Sequence, residues 1–231
     1  MVYHDPLRKK IDINFFGLDG KPGRLICIMY LIKKFKPIKI FTISPKKMKS
    51  EIGNYRCINT IIEKDYQINL KNFDENLRGK NYKSIRLRVN AANNQEFKLK
   101  ISKKITSAHL NLIGIHMTKK DYNEYEYQYF LSITKFIEKS PSALLFNVFW
   151  NDMLVGFDVV DFLDNTITTP YGFYLGNKSL PDFLMYKEIH YAKENGFEWF
   201  DIGWGCNLGV ENFKKNWKAF PRFKIYLQEY S

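Results

Sequence analysis

The sequence predicts a mixed α/β protein with a largely antiparallel sheet, and three observations lead to that prediction. Apolar residues make up 45% of the chain and aromatic residues 16%, more than a disordered chain carries. From residue 96 onward, strand and helix patterns alternate in the order β, α, β, β, β, α, β, α, β. Within that order, Asn151-Asp152 separates two apolar segments, which is a β-hairpin signal.

The first hundred residues are read in the same way. Residues 24–43 are predicted to form two strands, RLICIMYLI and IKIFTIS, joined by the basic turn KKFKP. A third strand is expected near 60–70, and a helix is expected to open at Asn72, with Asn72 or Asp74 as its cap. Further along, residues 82, 85 and 89 have helical spacing, with Lys83, Arg86 and Asn90 on a neighbouring polar stripe.

The later elements carry clearer boundaries. A helix is expected over 119–139, and a second one is expected to begin at the cap Ser179 and to end at Asn195-Gly196. Pro170 and Gly172 predict an interruption in the strand TITTPYGFYL. The remaining predicted segments are the strands EFKLKIS, LLFNVFW, MLVGFDVVDFL, EWFDIGW and FKIYLQEY, and the helix LGVENFKKNWKAF.

Charge and cysteine content restrict the function classes. The formal charge of +12 favours anionic partners such as RNA, nucleotides or an acidic membrane surface, although a lysine-rich composition explains it equally well. Three cysteines far apart predict neither a disulfide framework nor a zinc site, so no metal is expected. The longest apolar run has eight residues, against about 20 for a membrane span. We expect a cytoplasmic protein, with peripheral membrane contact left open.

The stretch FDIGWGCNLG (200–209) is similar to the glycine loop of S-adenosylmethionine methyltransferases. In those enzymes the loop follows the first strand of a doubly wound sheet, and alternating βα units come after it. Here an antiparallel meander precedes the stretch instead, so the predicted topology excludes a methyltransferase. Cys206 in this loop has no histidine nearby in sequence, which argues against a nucleophilic cysteine.

Three segments resemble the GNAT acyltransferase fold, and within it the FemAB-like aminoacyltransferases and the catalytic domain of phosphatidylglycerol lysyltransferases. They are LRGKNYKSIRLRVNAANNQEFKLKI (77–101), NGFEWFDIGW (195–204) and GVENFKKNW (209–217). The resemblance implies a mixed, mostly antiparallel central sheet. It also implies a GNAT-fold catalytic domain over 76–231 and a small N-terminal α/β subdomain over 1–75, with a degenerate copy of the fold as one interpretation of that subdomain.

The resemblance implies catalysis by positioning: an amine attacks an ester or thioester carbonyl, and fixed donors meet the developing oxyanion. The strands TITTPYGFYL and EWFDIGW would diverge and free the backbone amides of Tyr171, Gly172, Phe173 and Tyr174, with Tyr174 also counted as catalytic. An ordinary edge irregularity is the alternative explanation of the interruption in this strand.

The segment LGNKSLPDFL (175–184) would hold the donor's phosphate, through Gly176, Asn177, Lys178 and Ser179. It lacks the glycines of the usual pyrophosphate loop. That departure favours aminoacyl-tRNA over acyl-CoA as the donor, although both stay open, and no covalently bound cofactor is expected. A plain surface loop is equally compatible with the segment.

The remaining candidates are charged residues. By the same resemblance, Lys214 would stabilise negative charge in the transition state, and Asp201 would act as general base unless it caps the turn before Gly203. Asp158 is assigned to the acceptor substrate, with Asp158 and Asp161 as alternative bases. Lys83, Arg86 and Asn90 would hold an anionic group of the substrate, unless they form a solvated basic face.

The predicted function is therefore transfer of an acyl or aminoacyl group to an amine or hydroxyl acceptor. One alternative is a coenzyme A-dependent N-acetyltransferase with an atypical phosphate loop. Another is a catalytically silent module of the same fold that binds RNA or a protein through its basic face.

Overall fold

The computed structural model describes residues 2–5, 9–14, 23–44, 46–119, 124–205 and 207–231, and these residues form the predicted mixed α/β structure. The chain divides into two compact units. The first takes its described residues from 1–65, 204–206 and 221–231, and the second from 66–203 and 207–220. The predicted division into a subdomain over 1–75 and a catalytic domain over 76–231 stays a prediction.

The first unit is a small α/β layer. Strand β2 lies between β1, to which it is antiparallel, and β3, to which it is parallel, and β11 pairs antiparallel with β3. Reciprocal backbone hydrogen bonds between Arg56 and Ser231 join β11 to β5. The elements are β1 (Val2–Asp5), β2 (Lys10–Asn14), α1 (Gly23–Phe35), β3 (Lys39–Ser44), β4 (Glu51–Ile52), part of β5 (Tyr55–Asn69) and most of β11 (Phe220–Tyr230).

Helix α1 corrects the prediction of two strands over residues 24–43. Only IKIFTIS forms a strand there, as β3, whereas GRLICIMYLIKKF is helical. Ile28 and Leu31 of α1 are buried, but Ile26 and Tyr30 are exposed. Since apolar residues occupy both faces of α1, the helical period is hidden in a continuous apolar run that is typical of a buried strand.

The second unit holds all the predicted site residues. Strand β9 pairs antiparallel with β8 and parallel with β10, and β8, β7 and β6 follow as an antiparallel meander. Its elements are the end of β5, α2 (Lys83–Asn93), β6 (Lys98–Ser102), α3 (Ser107–Lys119), α4 (Glu124–Lys139), β7 (Leu144–Trp150), β8 (Met153–Leu163), β9 (Thr166–Tyr174), α5 (Leu180–Glu194), β10 (Trp199–Trp204) and α6 (Leu208–Asn216).

Two apolar clusters form the core of the second unit. One includes Phe146 and Phe200 of the sheet and packs against residues of α2 and α5, while the other includes Phe157 and Phe173 and packs against α3 and α4. Phe146 and Phe157 come from the neighbouring strands β7 and β8, so the sheet contributes side chains to both clusters. None of the helices in the described ranges has the length and apolar character needed to span a bilayer.

Most predicted elements of this unit are confirmed. The hairpin turn has positive φ at both Asn151 (47°) and Asp152 (60°), as a two-residue turn of the primed type requires. Helix α5 ends at Asn195, followed by Gly196 with φ 78°. Ser179 stands at the start of α5, but its hydroxyl makes no capping hydrogen bond.

One prediction for this unit is wrong, and one of its helices was not predicted. No helix opens at Asn72: the carboxylate of Asp74 accepts hydrogen bonds from the backbone N–H of Asn76 and Arg78 and closes a turn instead. The helix expected over 119–139 is confirmed from Glu124 to Lys139 as α4, with 120–123 outside the described residues, whereas α3 was not predicted. Helix α3 was missed because His109 occupies one of its buried positions, while the apolar Leu110 is exposed.

Candidate acyl-transfer site

Strands β9 and β10 diverge in the middle of the second unit. Their parallel pairing runs from Thr166–Trp199 to Thr168–Asp201, whereas β9 continues to Tyr174 and β10 to Trp204. The edge of β9 beyond Thr168 therefore faces a gap between two parallel strands, and backbone groups on that edge lie outside the ladder.

A bulge marks the point of divergence. On β8, Val159 pairs with Tyr171 and Asp161 pairs with Thr168, so Thr169 and Pro170 together lie opposite the single residue Val160. This confirms the interruption that Pro170 and Gly172 predict. A bulge leaves an extra residue unpaired and redirects the strand beyond it.

Beyond the bulge, two amides of β9 point away from β8. The backbone N–H of Leu175 donates to Val155 O on β8 at 2.8 Å. Successive N–H groups of a strand point to opposite edges, so those of Phe173 and Tyr171 also face β8. The N–H groups of Gly172 and Tyr174 consequently face the side on which β10 has diverged.

The Tyr174 side chain lies over two glycines and reaches a buried carboxyl. Its hydroxyl donates to Asp158 Oδ1 at 2.5 Å. A Cβ built on Gly172 would lie 2.1 Å from Tyr174 Oη and 2.4 Å from Asp158 Oδ1, and one built on Gly156 would lie 3.1 Å from Tyr174 Cδ1. Three of the predicted residues, Tyr174, Gly172 and Asp158, are thus in direct contact, and Gly172 is required for that contact.

A second carboxyl, that of Glu188 on α5, completes this cluster. Glu188 is 0% exposed and Asp158 is 3% exposed. The Thr169 hydroxyl donates to Glu188 Oε2 at 3.2 Å, while Glu188 Oε1 is buried and has no donor among the described residues. The Glu188 and Asp158 carboxyls interact in this buried site. Two buried carboxylates repel each other, and a proton on one of them lets that carboxyl donate to the other.

Burial shapes the acidity of all three ionisable groups in the cluster. It raises the pKa of Asp158 to about 7, and hydrogen bonds from Tyr174 and Glu188 limit the rise. Burial and the negative charge of Asp158 raise the pKa of Glu188 well above its usual range. Burial and the same charge raise the pKa of Tyr174. Near neutral pH, Tyr174 is therefore protonated, and the Asp158–Glu188 pair retains a proton to higher pH than isolated carboxyls do.

Asp201 lies on β10 beside the start of the gap. Its Oδ1 accepts from the backbone N–H of Gly203 at 2.7 Å, and its Oδ2 accepts from Gln67 Nε2 at 3.2 Å. Gly203 has φ 74°, a conformation that favours glycine. These contacts favour the turn-capping alternative for Asp201, and its role as general base stays a prediction.

Lys214 of α6 lies against the same turn. It is 5% exposed, and its Nζ donates to the carbonyl oxygen of Ile202. The Nζ is also 5.9 Å from the centroid of the Tyr66 ring. Its neighbour Lys215 is exposed and pairs with Glu211 at 2.9 Å, as expected for a solvated residue. The structure thus holds the Lys214 cation inside the second unit, beside Asp201 and Gly203.

The turn between β9 and α5 contains the residues predicted to hold phosphate. Asn177 Oδ1 accepts from the backbone N–H of Ser179 at 2.9 Å, and Asn177 O accepts from that of Leu180 at 3.3 Å. Lys178 and Gly176 are exposed. Because Asn177 already occupies the amides of Ser179 and Leu180, these two amides do not fit a pyrophosphate cradle.

The basic residues predicted to bind an anion lie on α2. Lys83 and Asn90 are exposed, as a solvated face would be. Arg86 Nη1 donates to the backbone oxygens of Leu77 and Gly79, so this guanidinium holds the preceding loop. An anion-binding role for the three residues stays a prediction.

The N–H groups of Tyr171 and Phe173 face β8, and their side chains pack on the other cluster, so their predicted donor-binding role stays a prediction. Phe173 is stacked on Phe157 with ring centroids 5.0 Å apart, and Tyr171 meets Phe130 edge-on. Cys206 lies outside the described residues. Within the described ranges, no group of three or more His, Cys, Asp or Glu side chains could hold a metal ion.

Sequence reasoning missed Glu188. A usable signal was present: Leu184 and Ala192, four residues to either side of it on α5, are fully buried. Residues four apart lie on the same face of a helix, so a carboxyl at position 188 must enter the core. In the core it contacts Asp158, which lies 30 residues earlier on a strand. The local sequence pattern gives no information on that contact.

Comparison of the sequence with family models and with curated proteins finds no match. Solved structures do match. The C-terminal domain of a lysylphosphatidylglycerol synthetase from Agrobacterium fabrum aligns with TM-score 0.60 and 9% identity, over 96% of this chain and 77% of that one. FemX aligns with TM-score 0.56 and 12% identity, over 99% and 82%.

A tandem GNAT protein from the clavulanic acid biosynthesis pathway aligns with TM-score 0.55 and 8% identity, over 96% of this chain and 75% of that one. The chain therefore has the GNAT fold, and its structure resembles the branch of that fold that contains FemX and the lysylphosphatidylglycerol synthetase domain. At identities of 8–12% this likeness concerns the fold alone.

Proposed function

We propose that this protein is a transferase that moves an acyl or aminoacyl group from an activated donor to an amine or hydroxyl acceptor. The observation that carries the proposal is the divergence of β9 from β10 at a bulge, with the Tyr174–Asp158 hydrogen bond directly beside it. The fold shared with FemX and the synthetase domain supports the same reaction class.

In this proposal the donor's carbonyl oxygen lies in the gap and accepts hydrogen bonds from the amides of Gly172 and Tyr174. Fixed amides cost no reorganisation as negative charge develops on that oxygen. Removing one such donor lowers the rate by about 100-fold to 1,000-fold in well-studied enzymes. Gly172 contributes no side chain, so its amide is open to a substrate atom.

Two side chains supply the remaining chemistry. The Tyr174 hydroxyl protonates the leaving group, a role that suits a phenol whose raised pKa keeps it protonated. Lys214 provides a fixed positive charge near the turn at Gly203, where it stabilises negative charge on the substrate. Asp201 either accepts the amine proton or holds the turn on which Lys214 rests.

For the donor we favour an aminoacyl ester such as aminoacyl-tRNA over a coenzyme A thioester. The support comes from the β9–α5 turn, where Asn177 accepts the hydrogen bonds of two amides that a pyrophosphate would need. The net charge of +12 suits a polyanionic donor. The acceptor is an amine or a hydroxyl, and its pocket is the most variable part of a shared fold.

The test is a transfer assay on the full chain with charged tRNA, acetyl-CoA and longer acyl-CoAs, each offered with a panel of amine and hydroxyl acceptors. We expect transfer from charged tRNA and at least tenfold slower transfer with Tyr174→Phe, which lacks the acidic proton. Thermal stability is measured in parallel with each donor, because a ligand that binds the folded state raises the melting temperature.

Each rival has its own outcome. Stabilisation and turnover with acyl-CoA alone would identify a coenzyme A-dependent N-acetyltransferase and overturn the donor assignment. No turnover with any donor, together with RNA binding that weakens steeply as salt is raised, would identify a binding module and overturn the proposed function. Uncharged tRNA serves as the control that separates RNA binding from recognition of the acyl group.

A further inference from the structure

Glu188 is a fully buried carboxyl that the proposed function leaves without a role. It comes from α5, while the groups it contacts, Asp158 and Thr169, come from β8 and β9. Its Oε2 accepts from Thr169, and its Oε1 is buried with no hydrogen-bond partner among the described residues. Burying an ionised carboxyl beside another one is costly, so such a group needs a specific arrangement to be tolerated.

We propose that Glu188 is a positioning residue: as a neutral carboxylic acid it donates to the Asp158 carboxylate and makes the Asp158–Tyr174 pair a proton relay for acyl transfer. This inference rests on the proposed function for its catalytic part. Its structural part, the assignment of the proton to Glu188 and of the charge to Asp158, stands on the contacts alone.

The geometry favours this distribution of charge. Asp158 Oδ1 accepts from the Tyr174 hydroxyl at 2.5 Å, a length typical of an O–H donor facing an ionised oxygen. Glu188 has a single weaker donor, the Thr169 hydroxyl at 3.2 Å. A carboxylate is stabilised in proportion to the donors that face it, so the ionised member of the pair is Asp158.

Among the described residues of this unit, no lysine or arginine forms an ion pair with the Asp158 or Glu188 carboxyl. From β8 and β9, the titratable groups that face Glu188 are Asp158 and Tyr174. From α2, which also packs on α5, Arg88 forms its ion pair with Asp182 at 2.7 Å instead. The proton equilibrium of the pair is therefore set by Asp158, Glu188 and the hydroxyls of Tyr174 and Thr169.

The relay takes up one proton from the amine and later releases one proton to the leaving atom. As the amine nitrogen bonds to the carbonyl carbon, Tyr174 Oη accepts the amine proton while its own hydroxyl proton passes to Asp158 Oδ1. As the bond from carbon to the leaving oxygen or sulfur breaks, that atom takes a proton from Tyr174, which regains one from Asp158. Asp158 ends as the carboxylate from which it started, and Glu188 keeps its proton throughout.

Three variants test the assignment: Glu188→Gln, Asp158→Asn and Glu188→Leu. An amide at 188 still donates to Asp158, so we expect Glu188→Gln to keep transfer within about threefold of the wild type and Asp158→Asn to lose about 100-fold. Glu188→Leu removes a donor from Asp158, so the rising limb of the pH–rate profile should move to higher pH. An unmoved limb, or equal losses in Glu188→Gln and Asp158→Asn, would overturn the relay.

A second readout needs no donor and so separates this inference from the proposed function. The folded state holds the Asp158 proton up to about pH 7, whereas the unfolded chain releases it at the ordinary carboxyl pKa, so stability decreases as pH rises through that interval and the contribution of Asp158 levels off above it. Glu188 adds a decrease of the same sign that continues above pH 7, because its pKa is raised further. We expect the urea-unfolding midpoints of Glu188→Gln to level off near pH 7, where Asp158 ionises, and those of Asp158→Asn to keep falling above pH 7, because Glu188 still holds its proton. The opposite pattern would place the charge on Glu188 and overturn the assignment, whether or not transfer is ever observed.

Discussion

The hydroxyl of Tyr174 occupies the space that a side chain at position 172 would need. A Cβ on Gly172 would lie 2.1 Å from Tyr174 Oη and 2.4 Å from Asp158 Oδ1, distances that Cβ atoms do not adopt. Because residues 158 and 172 are direct cross-strand neighbours, neither can move away without disturbing the sheet. The absence of a side chain at this position is a condition for the Tyr174–Asp158 hydrogen bond.

We therefore expect Gly172→Ala to displace the Tyr174 ring and to lower the free energy of unfolding by about 1–3 kcal/mol, the usual cost of overpacking. Urea denaturation measures the loss. Gly114→Ala in α3 is the matched control: nothing lies within 4 Å of its Cβ, so a change of at most about 1 kcal/mol, in the stabilising direction, is expected. Equal stabilities of the two variants would contradict the packing described for Tyr174.

Lys214 and Lys215 are adjacent in sequence but differ in environment. Lys214→Ala removes a buried donor to Ile202 O, so we expect transfer to fall at least about tenfold and stability to fall by about 1–3 kcal/mol. Lys215→Ala breaks only an exposed pair with Glu211, worth about 0.5 kcal/mol or less. Initial rates and urea midpoints for both variants check this, and near-normal turnover of Lys214→Ala would remove that residue from the mechanism.

Asp182 ties α2, α5 and the end of α6 together. Its Oδ2 lies 2.7 Å from Arg88 Nε, and its Oδ1 accepts from Trp217 Nε1 at 2.9 Å. Asp182→Asn keeps the shape but removes the charge from a pair whose acid is buried and whose arginine is partly exposed. We expect a loss of about 2–3 kcal/mol in unfolding free energy, below the cost of breaking a fully buried pair.

The control for Asp182→Asn is Glu51→Gln, which removes the negative charge from the exposed ion pair of Glu51 with Arg56. That substitution should change stability by about 0.5 kcal/mol or less. A double-mutant cycle with Arg88→Met then isolates the Asp182–Arg88 coupling. A coupling near zero would show that Asp182 acts through Trp217 alone.

His109 makes stability depend on pH in the opposite sense to Asp158. Its Nδ1 accepts from the backbone N–H of Thr106 at 3.1 Å, so its Nε2 carries the proton donated to Asn147 Oδ1 at 2.7 Å. Burial lowers the pKa of His109 below its ordinary 6.5. The unfolded chain therefore binds the proton more readily, and the stability that neutral His109 provides is complete above pH 6.5 and is lost as pH falls below it.

We expect His109→Gln to be less stable than the wild type at pH 7.5, with the difference shrinking at pH 5.5. Urea midpoints at the two pH values measure it. The comparison of each variant with the wild type at the same pH cancels the contribution of Asp158, which is common to both. A difference that grows on acidification would mean that His109 is charged in the folded protein.

The sequence predicts the meander, the turn at Asn151-Asp152 and the bulge at Pro170 because each depends on residues close together in the chain. Prediction fails where burial departs from the local pattern. Helix α1 exposes Ile26, Met29 and Tyr30 and so is indistinguishable from a buried strand, and α3 buries a histidine. The Asp158–Glu188 contact joins a strand to a helix, so only the fold reveals it.

The gap between β9 and β10 also bears on how such a chain can diverge. Recognition through the amides of residues 172 and 174 uses atoms that every amino acid except proline possesses. Mutation can replace most of the surrounding side chains without erasing those two donors. The amino-acid sequence of such a protein can therefore change almost completely while the groups that would hold a carbonyl oxygen are kept. Identities of 8–12% to structures of the same fold are consistent with this.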